Sequence, residues 1–211
     1  MSRRTVVKVC GLTRREDAAF ALAAGADWLG FIVHGGSARR IEPEQAARIV
    51  EGVGGGVPVA VMVGVTPAQA LDLAHRSRAA RIQLHRVAAA SWPADFPLPV
   101  AFSMGVTPDG ELVDPEPDAR HLVLLDTSHG GLAGGTGRTW PWEVARDIAA
   151  RRDVMLAGGL HGDNVAEAVR VLHPFGVDAS SALESSPGIK DHERVRRFVQ
   201  AVRDAQREQV P

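Results

Sequence analysis

The segment HLVLLDTSHGGLAGGTG, residues 121–137, decides how the rest of the chain is read. Its four consecutive apolar residues, Leu122, Val123, Leu124 and Leu125, predict a strand buried on both faces, as in a parallel sheet covered by helices. The run stops at a carboxylate, Asp126, and the residues after it are mostly Gly, Ser, Thr and His. A charge at the exit of a buried strand meets solvent or a ligand. Gly134, Gly135 and Gly137 surround Thr136 and permit positive φ and close backbone approach, so their N–H groups can converge on an anion. The plainer alternative is a strand end followed by a flexible glycine loop.

Working outward, short apolar runs recur on both sides. Strands are expected at residues 5–10, 28–33, 57–63, 80–84, 98–103, 122–125, 154–157 and 176–180. Helices are expected between most of them. The first runs over 14–24, opened by a capping box of Thr13 and Glu16 and closed by Gly25. Others open at Pro43, at Thr66 and Pro67, at Trp142, at Asp163 or Asn164, and at Asp191. Residues 86–96 predict at most a short helix, and the proline-rich, acidic stretch 107–118 predicts a loop. Eight strands alternating with helices in 211 residues predict an α/β protein, a single-domain (β/α)8 TIM barrel over residues 1–211. An open doubly wound sheet is the alternative. The barrel is favoured because Cys10, Arg39, His85, Asp126, Gly158 with Gly159, and Ser180 with Ser181 mostly follow strand ends, which a barrel gathers around one mouth.

Composition narrows the function. A net charge of −1 and a pI near 6.7 leave no basic footprint for nucleic acid. Cys10 is the only cysteine, so neither an internal disulfide nor a cysteine metal site is expected. The histidines form no HxH or HxxxH pair, and no metal is expected. The longest apolar stretch, 57–63, is too short to span a bilayer, and no signal-peptide core follows Met1, so the cytoplasm is the expected compartment.

The candidate chemistry lies at the strand exits. Gly158, Gly159, Ser180 and Ser181 follow the expected seventh and eighth strands, where barrels commonly bind phosphate through backbone N–H groups. Cys10 reads either as a general base with an ionised thiol or as a small buried apolar residue. Arg39 or Arg40 offers a bidentate grip on a carboxylate, unless both simply meet water. Trp140 and Trp142 are expected to pack beneath the glycine loop.

Taken together the motifs resemble the phosphoribosylanthranilate isomerase family of tryptophan biosynthesis. The matching pieces are KVCGLT (8–13), EDA (16–18), GADWLGFIV (25–33), SAR (37–39), QLH (83–85), LLDTSHGGLAGGTGRTWPW (124–142), LAGGLHGDNV (156–165) and GVDASSALESSPGIKD (176–191). The family pattern is broken at Ala38, which stands where a proline is usual, at Arg86, where the pattern is LHG, and at Ala182, where it is SSG. The resemblance implies an Amadori rearrangement of N-(5′-phosphoribosyl)anthranilate, with Asp126 as acid and Cys10 as base. It further implies a substrate-binding set of Arg39, His85 and Asp178, Arg39 taking the anthranilate carboxylate. Phosphate would lie against Gly134, Gly135, Gly137, Gly158, Gly159, Ser180 and Ser181. It implies no cofactor, no metal, no nucleic acid, no membrane, and a monomer or homodimer whose partner is its small-molecule substrate. The alternatives are a non-catalytic sugar-phosphate-binding barrel, suggested by Arg86 and Ala182, an isomerase of a related phosphosugar, or another phosphate-binding barrel enzyme such as a lyase or a metal-dependent epimerase. Against the lyase, Lys8 and Lys190 are the only lysines.

Overall fold

The computed structural model describes residues 4–107, 109, 111–127 and 141–208. Among them eight parallel strands close into a barrel in chain order: β1 (Val6–Val9), β2 (Trp28–Ile32), β3 (Val57–Val63), β4 (Arg81–His85), β5 (Val100–Val106), β6 (Leu122–Thr127), β7 (Val154–Leu156) and β8 (Gly176–Ala179). Closure is the pairing of β1 with β8, in the register Lys8 to Asp178. The expected (β/α)8 barrel is therefore observed. Its helices are α1 (Arg15–Ala24), α2 (Pro43–Val53), α3 (Pro67–Arg76), α4 (Arg146–Arg151), α5 (Val165–Leu172) and α6 (His192–Arg207).

Alternation along the strands builds two layers. Val7, Val9, Leu29, Phe31, Leu84, Leu125, Leu156 and Val177 face outward into one large cluster with the helices, which includes Ala18, Ile49, Val169 and Phe198. Trp28, Val59, Leu124 and Met155 form a second, small cluster. They come from β2, β3, β6 and β7, on opposite sides of the ring, and can meet only inside the barrel. The interior is thus filled by side chains at the end where the strands start.

The sequence patterns for α2 and α3 hold. Pro43 opens α2, and Thr66 and Gln69 form a capping box on α3. The expected box at Thr13 and Glu16 does not form: α1 starts one residue later, at Arg15, with Arg14 at the N-cap position and no side-chain capping bond. Thr13 is used elsewhere, its hydroxyl donating to the Gly188 carbonyl at 2.5 Å. Two strands run further than the apolar runs suggested. The β5 strand extends to Val106 because residues 111–114 fold back on it, with Val113 N–H donating to Gly105 O at 2.9 Å. The β6 strand includes Asp126 and Thr127, paired with Gly105 and Val106. The helix expected over 142–151 is a 3-10 turn, Trp142–Ala145, followed by α4.

A short antiparallel hairpin was not expected. It comprises β9 (Glu184–Ser186) and β10 (Ile189–Lys190), between β8 and α6. Its anchor is Asp17 of α1, which is buried and accepts from Arg14 Nε and Nη2, the Lys190 N–H and His192 Nε2, all within 2.8–3.0 Å. Burial alone would raise the Asp17 pKa, but these bonds outweigh it and hold the carboxyl below its ordinary range. Asp17 thereby ties the first helix, the hairpin and the last helix together.

Candidate active site

Lys8 and Cys10 are two residues apart at the β1 exit and so point to the same side, into the barrel. Lys8 is fully buried, and its Nζ donates to Asp178 Oδ2 of β8 at 2.7 Å. Burial opposes the charge on Lys8, but Asp178 and Cys10 together raise its pKa, so it stays an ammonium. The Cys10 thiol is pushed up, first by burial and then by Asp178, while Lys8 and Lys190 pull it back. The site therefore favours the thiol, with two cations placed to stabilise a thiolate. Gly30 of β2 makes the room: a Cβ there would lie 2.8 Å from Cys10 Sγ and 3.1 Å from Lys8 Cε. The other Asp178 oxygen, Oδ1, is buried without a hydrogen-bond partner among the described residues.

Arg39 lies beyond the β2 end, in a loop tied back by a bridge from Ile32 to Arg40. Its Nε donates to Glu184 Oε1 at 2.8 Å, and its Nη2 donates to Oε2 at 2.8 Å. The Lys190 ammonium donates to the same carboxylate, Oε1, at 2.8 Å and to Ser180 O at 3.1 Å. Burial raises the Glu184 pKa, but the Arg39 and Lys190 bonds overcome it and leave the group ionised below its usual range. The set Arg39, Lys190 and Glu184 carries one surplus positive charge beside Cys10. Gly11 lets Arg39 lie flat here: it has a φ of 74°, and a Cβ would come within 2.8 Å of both Arg39 Cδ and Ser180 Oγ.

His85 ends β4 half-buried, with Nε2 2.8 Å from the Gln83 side-chain amide. Burial, with the Lys8 and Arg86 charges adding, lowers its pKa to about 4, so it is a neutral imidazole near pH 7. Arg86 is exposed and has a φ of 55°, a left-handed backbone that suits glycine better than arginine. A glycine at this position would carry no such strain.

Asp126, near the β6 end, lies against the β7 exit: a Cβ on Gly158 would be 2.8 Å from Asp126 Oδ1 and 2.6 Å from the Thr127 nitrogen. Gly158 and Gly159 both have positive φ, 80° and 68°. Ser181 opens a one-turn 3-10 helix, Ser181–Leu183, directly after β8. Ala182 lines a cavity of about 240 Å³ with His161, Arg194 and Arg197. Gly134, Gly135 and Gly137 lie outside the described residues, as does Trp140. Trp142 is buried, and the glycine loop it was expected to pack beneath lies outside the described residues.

The structure thus brings Cys10, Arg39, Asp178 and Ser180 together on the β8–β1–β2 side, with Asp126 and Gly158 at the β6–β7 side and His85 at β4. Sequence reasoning missed Glu184 and Lys190. Their only signal was their place in the quoted motif ESSPGIKD and the scarcity of lysine. Among the described residues no cluster of three or more His, Cys, Asp or Glu is placed to hold a metal.

The family model for N-(5′-phosphoribosyl)anthranilate isomerase matches residues 7–201. The chain belongs to that family. An N-(5′-phosphoribosyl)anthranilate isomerase from Pelobacter propionicus is 37% identical over 214 residues, covering 96% of this chain and 97% of the relative. The crystal structure of phosphoribosyl anthranilate isomerase from Thermotoga maritima matches with a TM-score of 0.80 at 31% identity, over 95% of this chain and 99% of that one. A further phosphoribosyl anthranilate isomerase, solved in complex with reduced 1-(o-carboxyphenylamino)-1-deoxyribulose 5-phosphate, matches with a TM-score of 0.77 at 29% identity, over 95% and 99% of the two chains. Membership in the phosphoribosylanthranilate isomerase family makes this barrel an isomerase.

Proposed function

We propose that this isomerase converts N-(5′-phosphoribosyl)anthranilate to 1-(2-carboxyphenylamino)-1-deoxyribulose 5-phosphate in tryptophan biosynthesis, acting in the cytoplasm as a monomer or homodimer. The observation that carries the reading is the family match over residues 7–201, with Cys10 and Asp126 both at the barrel mouth on different strands. The reaction is redox-neutral and needs only proton transfers at two positions on a sugar held between an acid and a base.

Asp126 gives a proton to the furanose ring oxygen, and the C1′–oxygen bond opens to an iminium. Cys10, as thiolate, then takes the C2′ proton, and the electron pair moves to form an enolamine. Loss of the C2′ hydroxyl proton and protonation at C1′ complete the ketone. The raised thiol pKa makes the thiolate the minor form before substrate arrives, and Lys8 and Lys190 lower the cost of forming it. Arg39 meets the anthranilate carboxylate. His85 binds substrate as a neutral hydrogen-bonding group, and Asp178 Oδ1, lacking a partner among the described residues, accepts from a substrate hydroxyl. The phosphate rests on backbone N–H groups at Gly158, Gly159, Ser180 and Ser181. Two successive glycines of positive φ after β7 support that placement.

Loss of phosphoribosylanthranilate fluorescence on adding the purified protein tests the function. Cys10→Ala and Asp126→Asn should each lower kcat by about 10²–10⁴-fold while the protein stays folded. A wild-type protein with no turnover overturns the reading, and a folded variant with near wild-type kcat removes that residue from the chemistry.

A further inference from the structure

The Arg39 guanidinium has two edges able to grip a carboxylate in bidentate fashion, Nε with Nη2 and Nη1 with Nη2. Glu184 occupies the first, through three contacts of 2.8–2.9 Å. We propose that Glu184 is a positioning residue, which grips Arg39 by its inner edge and presents the outer Nη1 edge to the substrate carboxylate. The proposal rests on the function given above and adds how Arg39 is aimed.

Glu184 is suited to this because burial and hydrogen bonds hold it in place. Its side chain is 4% exposed, against 24% for Arg39. Its backbone carbonyl accepts from Arg194 Nη1 at 2.6 Å, and its carboxylate also holds Lys190. The hairpin carrying both residues is fastened at three further points. Thr13 donates to Gly188 O, Lys190 N–H donates to Asp17, and Asp191 N–H donates to Leu183 O at 2.9 Å. Arg39, by contrast, sits on a loop and has a long side chain with many rotamers to lose on binding. Fixing such a side chain in advance removes an ordering cost on binding of about 0.5–1.5 kcal/mol, or about 2–12-fold in affinity. Charge balance fits the same assignment. One carboxylate shared by two cations leaves one positive charge, the complement of a single anthranilate carboxylate.

Glu184→Asp tests position apart from charge, because it keeps the anion and withdraws it by one methylene. It should raise KM for phosphoribosylanthranilate by about 3–10-fold with little change in kcat. In an Arg39→Ala background the same substitution should change KM by less than about twofold, because there is no longer a guanidinium to aim. A purely structural role would raise KM by the same factor in both backgrounds, and that result overturns the proposal, as does a wild-type KM in Glu184→Asp. Arg39→Lys provides a second test that leaves Glu184 intact. Lysine cannot be gripped by one edge and offer another, so it should lose as much as Arg39→Ala; activity within about twofold of wild type overturns the proposal. Absence of turnover in the wild type would sink the function itself, whereas an active wild type matched by both variants sinks only this assignment.

Discussion

His85 should give this protein a distinctive loss of stability in mild acid. In the fold its pKa is lowered to about 4, against an ordinary value of about 6.5 in an unfolded chain. Below pH 6.5 the unfolded chain takes up a proton that the folded one refuses. Stability is therefore fully present above about pH 6.5 and declines as pH falls toward about 4, where the loss levels off. Linkage over that interval gives about 2 kcal/mol lost by pH 5 and about 3 kcal/mol by pH 4. His85 is half-buried, and water reaching the ring screens part of this, so about 1–2 kcal/mol at pH 5 is expected. The perturbation is His85→Gln, which keeps a polar side chain beside Gln83 and removes the titration. Urea unfolding of both proteins from pH 8 to pH 4 gives the difference curve. His121, also lowered by burial, and the carboxylates Asp17 and Glu184 contribute equally to both proteins and cancel. Wild type should converge on or fall below the variant as pH drops from 6.5 to 4. Parallel curves across that window would refute the reasoning and mean that His85 charges freely in the fold.

Two other substitutions probe the backbone. Gly158→Ala puts a methyl against the Thr127 nitrogen and Asp126 Oδ1 at a φ of 80°, and should cost about 2–4 kcal/mol in chemical denaturation and lower kcat in the folded protein by displacing Asp126; a stable, fully active variant would show that the β6–β7 corner yields easily. Arg86→Gly relieves a φ of 55° and should raise stability by up to about 1 kcal/mol, or Tm by about 2–4 °C, with kinetics unchanged. A lower Tm would mean that the Arg86 side chain contributes more than the strain costs.

The barrel was legible because its information is local. Each apolar run is short, doubly buried and punctuated by glycine, proline or a cap, as at Thr66 with Gln69 and at Gly25. Where tertiary pairing overrode local pattern the sequence misled. Thr13 had a capping partner in Glu16 but was taken by Gly188, far along the chain. The β5 strand grew because residues 111–114 pair with it, which no apolar run announces. The candidate site divides in the same way. Cys10, Asp126, Gly158 and Ser181 were legible from strand exits. Arg39 was legible as a cation, but its aim depends on Glu184, 145 residues later. The pull of Lys8 and Lys190 on Cys10 likewise depends on burial, which residue spacing does not reveal.

The Lys8–Asp178 pair also bears on how the protein is made. The two residues are separated by 170 positions, so on a ribosome β1 emerges long before its counter-ion. An ammonium enclosed without its carboxylate costs several kcal/mol. Any nascent intermediate that wraps six or seven strands around Lys8 leaves that ammonium without its carboxylate and is disfavoured. Barrel closure is thereby coupled to synthesis of β8. A chain that ends before β8 lacks both the closing strand and Glu184, the partner of Arg39.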